Sequence, residues 1–171
     1  MMSVKNHKKA ITEVIHCMVI TVSDTRNEEN DKSGALMMEL LKANGHEVTR
    51  YEIVKDEKDV IQAAVMAGCR SGKVDVVLMN GGTGIAKRDV TIEAVKELMT
   101  KEIPGFGELF RMLSYQEDIG SAAILSRAAA GIVNDKAVFS TPGSSGAVRL
   151  AMNKLILPEL RHVVGELRKD L

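Results

Sequence analysis

Short apolar segments alternate with amphipathic ones along the chain, and this alternation predicts strands that are followed by helices. EVIHCMVITVS (13–23) is rich in β-branched residues and predicts a buried strand, and VDVVLMN (74–80) predicts a strand buried on both faces. Between them, HEVTRYEIV (46–54) alternates apolar and polar residues and predicts a third strand. Apolar residues recur at helical spacing in the segments 33–45, 55–72, 91–103 and 104–118.

Several predicted helices carry start or stop signals. Asn44 and Gly45 are typical of a helix C-terminus, and Pro104 favours a helix that begins there. Thr91 is the predicted N-cap of the helix that follows VDVVLMN, and Glu93 places an acid in its first turn.

The last third of the chain has a less regular pattern. SAAILSRAAAGIVNDKAVFSTPG (121–143) holds two short apolar runs, which we interpret as a helix or irregular segment and then a strand, KAVFS (136–140). The final segment, 147–167, predicts a long helix that is bent or broken at Pro158, because proline cannot continue the helical hydrogen bonds.

Strands that alternate with helical segments predict an α/β fold. We expect a three-layer α/β/α sandwich around a mostly parallel sheet, in a single domain over residues 13–171. A chain of 171 residues is long enough to bury one sizeable core. Residues 1–12 are polar, and we expect them to form a flexible N-terminal tail.

Composition excludes several functions. Lys+Arg and Asp+Glu both number 23, so the chain lacks the basic excess of a duplex nucleic-acid binder. Trp is absent and aromatic residues make up 3%, which argues against stacking on single strands. We expect no membrane partner and a cytoplasmic location, because no apolar run spans a bilayer and no signal peptide is visible. Cys17 and Cys69 share no metal or redox spacing and are predicted to be buried thiols.

The stretch NGGTGIAKRDVTIEA (80–94) is the strongest candidate for a site. It follows a buried strand, where the loops of parallel sheets bind ligands, and its glycines let backbone N–H groups approach a phosphate. Lys87 and Arg88 can add donors. The loop does not have the GxxxxGK[ST] pattern of a Walker motif. It is not a dinucleotide-binding fingerprint either, because Lys87 takes the place of the third glycine. A phosphate site and a tight turn capped by Asp89 and Thr91 both fit this loop.

Three other predicted strands end in polar loops. Asp56 follows the strand at 46–54 and is either a ligand or a helix N-cap; Ser23 and Asp24 are site residues or form a turn. STPGSSGAV (140–148) is an anion cradle or a turn with a serine cap. An acid beside phosphates, as Asp89 would be, calls for Mg²⁺. Polar loops at the ends of several strands favour a nucleotide or phosphorylated-ligand site.

The segments TVSD, VKDE, NGGTGIAKRDVTIEA, IPGFGELFR, LSYQ, ILSR and TPGSSGAV together resemble the MoaB/MogA family of molybdenum cofactor biosynthesis, which includes the G domains of gephyrin and of plant Cnx. The resemblance covers about residues 13–165 and is closer to the MoaB branch than to MogA. It implies a MogA-like, Rossmann-like fold. It also implies that the chain binds molybdopterin and adenylylates its terminal phosphate from Mg-ATP, with release of pyrophosphate.

The resemblance further implies roles for matching positions. Asp56 and Asp89 would be the catalytic acids and would hold Mg²⁺, and the glycine loop would wrap the nucleotide phosphates. Ser114 and Ser126 match serines that contact molybdopterin. The residues expected to bind the substrates molybdopterin and ATP are Ser23, Asp24, Gly81, Gly82, Thr83, Gly84, Arg88, Thr91, Glu93, Ser114, Ser126, Pro142, Gly143 and Ser144.

Two positions depart from the pattern of adenylylating relatives, which usually have proline where Ile92 and Ser145 stand here. Both acids are retained, which favours the adenylyltransferase. The loop sequence PGSSG (142–146) also fits the alternative of a molybdopterin-binding or carrier protein with little catalysis. A scaffold is disfavoured because the chain has no linkers or partner domains. The resemblance also implies a homo-oligomer, either a trimer or a hexamer.

Overall fold

Strands and helices alternate along residues 13–169, the part of the chain that the computed structural model describes. Its strands are β1 (His16–Val22), β2 (Glu47–Val54), β3 (Val76–Asn80), β4 (Lys101–Glu102), β5 (Ala129–Val133) and β6 (Lys136–Thr141). Its α-helices are α1 (Lys32–Ala43), α2 (Lys58–Arg70), α3 (Thr91–Leu98), α4 (Pro104–Glu117), α5 (Ser145–Ala151) and α6 (Leu157–Leu167). A 3₁₀-helix spans Gly120–Leu125 and a π-helical segment spans Met152–Ile156.

The strands form one six-stranded sheet in the order β2-β1-β3-β6-β5-β4. Strands β2, β1, β3 and β6 are parallel, whereas β5 runs antiparallel to β6 and β4 antiparallel to β5. Helices cover both faces of the sheet. The predicted α/β sandwich with a mostly parallel sheet is therefore confirmed.

The side chains of the central strands enter two separate cores, because successive residues of a strand point to opposite faces. On one face, Val19 and Leu78 pack with helices α1, α4, α5 and α6. On the other, Met18 and Met79 pack with α2 and α3. Two-sided burial explains why β3 reads as a continuous apolar run. Helix α2 lies close to β1 at Gly68, where a Cβ would come 2.5 Å from the Met18 sulfur.

Both cysteines are buried free thiols, as predicted. Burial raises the pKa of Cys17 to about 12 and that of Cys69 to about 11. Neither thiol is therefore ionised near neutral pH, and both act as small apolar core residues.

The region between α3 and β6 differs most from the sequence-based prediction. The helix predicted over 91–103 ends at Leu98, and the residues after it form β4. The segment predicted as helical or irregular contains β5, which joins β6 through a turn at Asn134 and Asp135 with φ of 47° and 62°. Positive φ at both positions is typical of the tight turns of β-hairpins, in which Asn and Asp are favoured.

Of three further predicted helix and strand ends, two differ from the structure and one agrees with it. Strand β1 begins at His16 instead of residue 13. Thr91 is the first residue of α3, and Val90 occupies the cap position, so the prediction of Thr91 as N-cap is wrong. Pro104 begins α4 as predicted.

The long C-terminal helix is interrupted directly before Pro158, as its proline predicts. Pro158 stands in the first turn of α6, and the preceding residues are π-helical. The proline ring crowds the carbonyl group four residues earlier, at Lys154, and offers no N–H, so the regular α-helical pattern cannot continue there. The predicted N-terminal tail lies outside the described residues. None of the helices between residues 13 and 169 is long and apolar enough to cross a bilayer.

Candidate functional site

Loops at one edge of the sheet enclose a cleft of about 560 Å³. Since β1, β2, β3 and β6 are parallel, the loops that follow them meet at the same edge. Strand β5 runs the other way, so the residues before it, 125–127, close the cleft at that edge. Most predicted site residues line this cleft: Ser23, Asp24, Asp56, Gly81, Gly82, Thr83, Gly84, Asp89, Ser126, Pro142 and Gly143.

Neighbouring loops pack closely against two of these glycines. Gly81 has φ of +96°, and a Cβ there would lie 2.2 Å from the carbonyl oxygen of Val22. A Cβ on Gly143 would lie 3.0 Å from the Cα of Gly81. The loops after β1, β3 and β6 therefore touch one another through backbone atoms, which fixes the depth of the cleft.

Two further glycines lie against the predicted catalytic acids. A Cβ on Gly82 would come 2.9 Å from both carboxylate oxygens of Asp56, and one on Gly84 would come 2.6 Å from Oδ2 of Asp89. Asp89 in turn accepts a hydrogen bond from the N–H of Ala86 at 3.1 Å, within the same loop. The glycine loop and both acids are therefore neighbours in the lining of the same cleft.

Asp56 is held by one backbone group and one carboxylate of neighbouring loops. Its Oδ1 accepts the N–H of Val90 at 3.4 Å, and its own N–H donates to Oδ1 of Asp24 at 3.2 Å. Glu57, not Asp56, occupies the N-cap position of α2, and its side chain forms no cap hydrogen bond. The alternative of Asp56 as a helix N-cap is therefore wrong.

The pKa of the Asp56 carboxyl is raised, first by burial and then by the negative charges of Asp89 and Asp24. The hydrogen bond from Val90 and the charge of Arg88 act in the opposite direction without cancelling the effect. An acid whose pKa is raised by burial and by neighbouring negative charges in a cleft is typical of functional sites.

The acids suit a cation that shares its coordination with a ligand. Within residues 13–169, no group of three or more His, Cys, Asp or Glu side chains could hold a metal ion. Mg²⁺ is commonly bound through one or two carboxylates together with substrate phosphates. Asp56 and Asp89 beside the glycine loop fit that donor set.

Arg88 lies outside the cleft lining and pairs with an acid. Its guanidinium group forms an ion pair with Asp24 at 2.5 Å, and its side chain is 72% exposed. An exposed pair of this kind contributes little to stability, so Arg88 can exchange Asp24 for another anion at small cost.

Arg127 lines the cleft and was missed by the sequence analysis, although it belongs to the ILSR segment. Its guanidinium group donates to the carbonyl oxygens of Thr83 at 2.9 Å, Gly84 at 2.7 Å and Asp89 at 3.3 Å. It also pairs with Glu93, whose pKa is lowered chiefly by this hydrogen bond. Glu93 therefore contacts Arg127 and does not line the cleft.

Arg26 is a second cleft residue that the sequence analysis missed. It donates to the carbonyl oxygen of Gly143 at 2.9 Å and to the hydroxyl of Ser33 at 2.5 Å, and it pairs with Asp31 at 3.4 Å. These contacts tie the loop after β1 to the loop after β6.

The remaining predicted residues have mainly structural contacts. The N–H of Thr91 donates to the Gly82 carbonyl at 3.0 Å, and its buried hydroxyl has no partner within residues 13–169. Ser114 is buried in α4, away from the cleft lining. Ser144 caps α5 by accepting the N–H of Ala147 at 3.1 Å, so the serine-cap interpretation of this loop is confirmed.

Ser23 lines the cleft and also shapes its own turn. Its hydroxyl oxygen accepts the N–H groups of Thr25 and Arg26, each at 3.2 Å. The turn interpretation is therefore correct for Ser23, and the same turn places Thr25 and Arg26 on the cleft wall.

The sheet order, the glycine loop and the acids beside it define an α/β domain of the MogA/MoaB type. Residues 18–162 match the family described as "Probable molybdopterin binding domain". Over 169 residues the chain is 66% identical to Molybdenum cofactor biosynthesis protein B of Bacillus subtilis, covering 99% of each chain. The chain belongs to this family, on the MoaB side, as its motifs predicted.

Solved structures agree with this membership. A crystal structure of a Molybdenum cofactor biosynthesis protein B matches with a TM-score of 0.91 and 67% identity, over 92% of this chain and 98% of that one. The tungsten cofactor synthesizing protein MoaB from Pyrococcus furiosus matches with a TM-score of 0.82 and 41% identity, over 92% and 99% of the two chains.

Proposed function

We propose that this chain acts in molybdenum cofactor biosynthesis by binding molybdopterin and transferring an adenylyl group from Mg-ATP to its terminal phosphate. Family membership supports the pathway, since the relatives are named for it. The observation that carries the proposed reaction is the position of Asp56 and Asp89 against the glycine loop, within one cleft.

The transfer needs no covalent partner from the protein. An oxygen of the terminal phosphate of molybdopterin attacks the α-phosphorus of ATP. A new P–O bond forms while the bond between the α-phosphorus and the β-phosphate oxygen breaks, and pyrophosphate leaves with that electron pair. A phosphate monoester is largely ionised at neutral pH, so the attack requires no general base. The chain has to orient the two phosphates and to offset their negative charge.

Free backbone amides of the glycine loop support phosphate binding. Within residues 13–169, the N–H groups of Gly82, Thr83, Gly84 and Ile85 donate to no protein acceptor. Consecutive unpartnered N–H groups in such a loop form an anion-binding concavity. We assign the nucleotide phosphates to these amides.

The negative charges of Asp56 and Asp89 in the cleft support the binding of a divalent cation. Mg²⁺ would be held by Asp56 and Asp89 together with the phosphates, and when bound it supplies the positive charge that this reaction needs. Arg88 is free to leave Asp24 and contact a phosphate, because the pair it breaks is exposed.

Leu125 and Ser126 form the wall before β5, opposite the loops that follow the parallel strands, and we assign the molybdopterin end of the site to this wall. The proline replacements do not remove a side chain from the cleft. Ser145 is exposed at the start of α5, and Ile92 is buried in the first turn of α3. Retention of the cleft favours the enzyme over a carrier that binds molybdopterin without turnover.

The test is adenylyl transfer with the purified chain, molybdopterin, ATP and Mg²⁺, with adenylylated molybdopterin and pyrophosphate as readouts. We expect product from the wild type and a loss of about 100- to 1,000-fold in kcat for Asp56→Asn and Asp89→Asn. Asp59→Asn, an exposed acid on α2 outside the cleft, is the matched control and should keep full activity. Molybdopterin binding without any product would instead establish the carrier.

A further inference from the structure

We propose that Arg127 is a positioning residue, which turns two free N–H groups of the glycine loop, those of Gly84 and Ile85, toward the nucleotide phosphates. This inference rests on the proposed function. It assigns a role to a side chain whose hydrogen bonds are with the protein's own backbone and with Glu93.

The hydrogen bonds of Arg127 fix the orientation of three peptide groups. Its guanidinium group holds the carbonyl oxygens of Thr83, Gly84 and Asp89. In a planar trans peptide, the carbonyl oxygen of one residue and the N–H of the next point in opposite directions. The N–H groups of Gly84, Ile85 and Val90 are therefore turned away from Arg127.

One of those three N–H groups shows the consequence directly. The N–H of Val90 reaches Oδ1 of Asp56 at 3.4 Å. The same peptide group accepts a hydrogen bond from Arg127 through the Asp89 carbonyl at 3.3 Å. Arg127 thus orients a hydrogen bond to a proposed catalytic acid through one peptide plane.

The other two N–H groups are the ones left for a ligand. Those of Gly84 and Ile85 donate to no acceptor within residues 13–169. With their carbonyl oxygens held by Arg127, the loop cannot flip these peptides and present carbonyl oxygens to a phosphate. Such preorganisation matters because a backbone carbonyl in that position would repel the anion.

The shape of the guanidinium group suits this role. Arginine presents a planar fork of donors, so one side chain can bind several carbonyl oxygens, whereas lysine is a point charge on a flexible stem. The ion pair with Glu93 also holds the guanidinium group in place and offsets its positive charge. Lysine at this position would keep the charge but could not hold the same set of carbonyl groups.

Hydrogen–deuterium exchange on the peptide over residues 81–90 tests the inference, with magnesium pyrophosphate as the probe. We expect pyrophosphate to slow amide exchange in this peptide in the wild type, and to slow it much less in Arg127→Lys and Arg127→Ala. In the transfer assay, both variants should lose about 100-fold in kcat, the effect of misplacing reacting groups by about 1 Å. The KM for molybdopterin should change little, because Arg127 holds the nucleotide loop.

Controls separate this inference from misfolding and from the proposed function. Arg70→Ala, at the exposed C-terminal turn of α2, should match the wild type in every readout, and thermal melts verify that each variant folds. Wild-type activity in Arg127→Lys, or unchanged protection in Arg127→Ala, would overturn the role of Arg127 while leaving the enzyme intact. A wild type that neither forms product nor responds to magnesium pyrophosphate would refute the proposed function itself.

Discussion

At the scale of single residues, Asp56 shows how a site can oppose the stability of the fold. Burial and the charges of Asp89 and Asp24 raise the pKa of its carboxyl. The folded chain therefore binds the carboxyl proton of Asp56 more tightly than the unfolded chain does. The contribution of Asp56 to stability is most favourable at low pH and is lost as the pH rises through the raised folded pKa. At neutral pH its charge weakens the ligand-free protein.

We expect Asp56→Asn to stabilise the ligand-free protein at pH 7, by about 2 °C in Tm, which corresponds to a fraction of a kcal/mol to 1 kcal/mol in a chain of this size. The amide removes the partly buried charge and keeps the shape of the side chain. The gain should shrink as the pH falls below the ordinary pKa of an aspartate. Thermal melts from pH 3 to 8 measure the difference in Tm between Asp56→Asn and the wild type, with Asp59→Asn as control. A lower Tm for Asp56→Asn than for the wild type at pH 7 would contradict this account.

Residue by residue, the motifs predicted the acids and glycines of the cleft but not its arginines. Asp56 and Asp89 were recognisable because each follows a strand in a family motif. Arg127 had no such signal: its contacts are carbonyl groups 38 to 44 residues away in the sequence. It reaches them because β5 is antiparallel to β6, a pairing that the local pattern did not predict.

At the scale of elements, a buried polar cluster joins the middle of β2 to the start of α1. Asp31 is buried, caps α1 through the N–H of Gly34 at 3.1 Å and accepts the hydroxyl of Tyr51 at 2.6 Å. Burial acts to raise the pKa of Asp31, but hydrogen bonds from Thr21, Tyr51, Gly34 and Ser33 outweigh it, so the pKa is lowered. Arg26 extends this cluster to the cleft.

We expect Tyr51→Phe to cost about 1.5–3 kcal/mol of stability, the usual value of a hydrogen bond to a charged group. Because the folded pKa of Asp31 is lowered, its stabilising effect is present above the unfolded pKa and is lost as the pH falls through the folded value. The cost should therefore diminish in acid. Urea unfolding at pH 7 and in acid measures it. Glu39→Gln, at an exposed side chain on α1, is the control and should be neutral.

The mispredicted elements share one cause. Strand β5 consists mainly of small residues, AAGIV, which have no marked strand preference, and β4 is only two residues long. Both are strands because of their partners: β5 pairs with β6, and β4 pairs with β5. The Asn134–Asp135 turn is the one local signal that could have predicted this hairpin.

At the scale of the whole molecule, large apolar side chains are exposed on α4 and on the 3₁₀-helix that follows it. Those outside the cleft lining are Leu109, Met112, Tyr115, Ile119 and Ile124. Ile124 is 84% exposed. Several exposed large apolar side chains on two consecutive elements are typical of an interaction surface, and we propose that this surface mediates contacts between copies of the chain.

We expect the wild type to form a trimer or a hexamer and Met112→Glu/Ile124→Glu to dissociate it toward the monomer, because two buried, unpaired charges are costly at an interface. Sedimentation equilibrium measures the mass. Val60→Glu is the matched control, since Val60 is a partly exposed apolar residue on α2, on the other face of the sheet. An unchanged assembly in the double variant would place the interface elsewhere.

By itself, the sequence determined the succession of strands and helices, the α/β class, the family and the acids and glycines at the strand ends. These are local properties, since periodicity, caps and motifs lie within short segments. Only the tertiary structure decided that Arg127 and Arg26 hold the walls of the cleft, that Asp31 anchors α1 to β2, and that β4 and β5 are strands. Each of these depends on sheet order and strand direction, which bring together groups far apart in the chain.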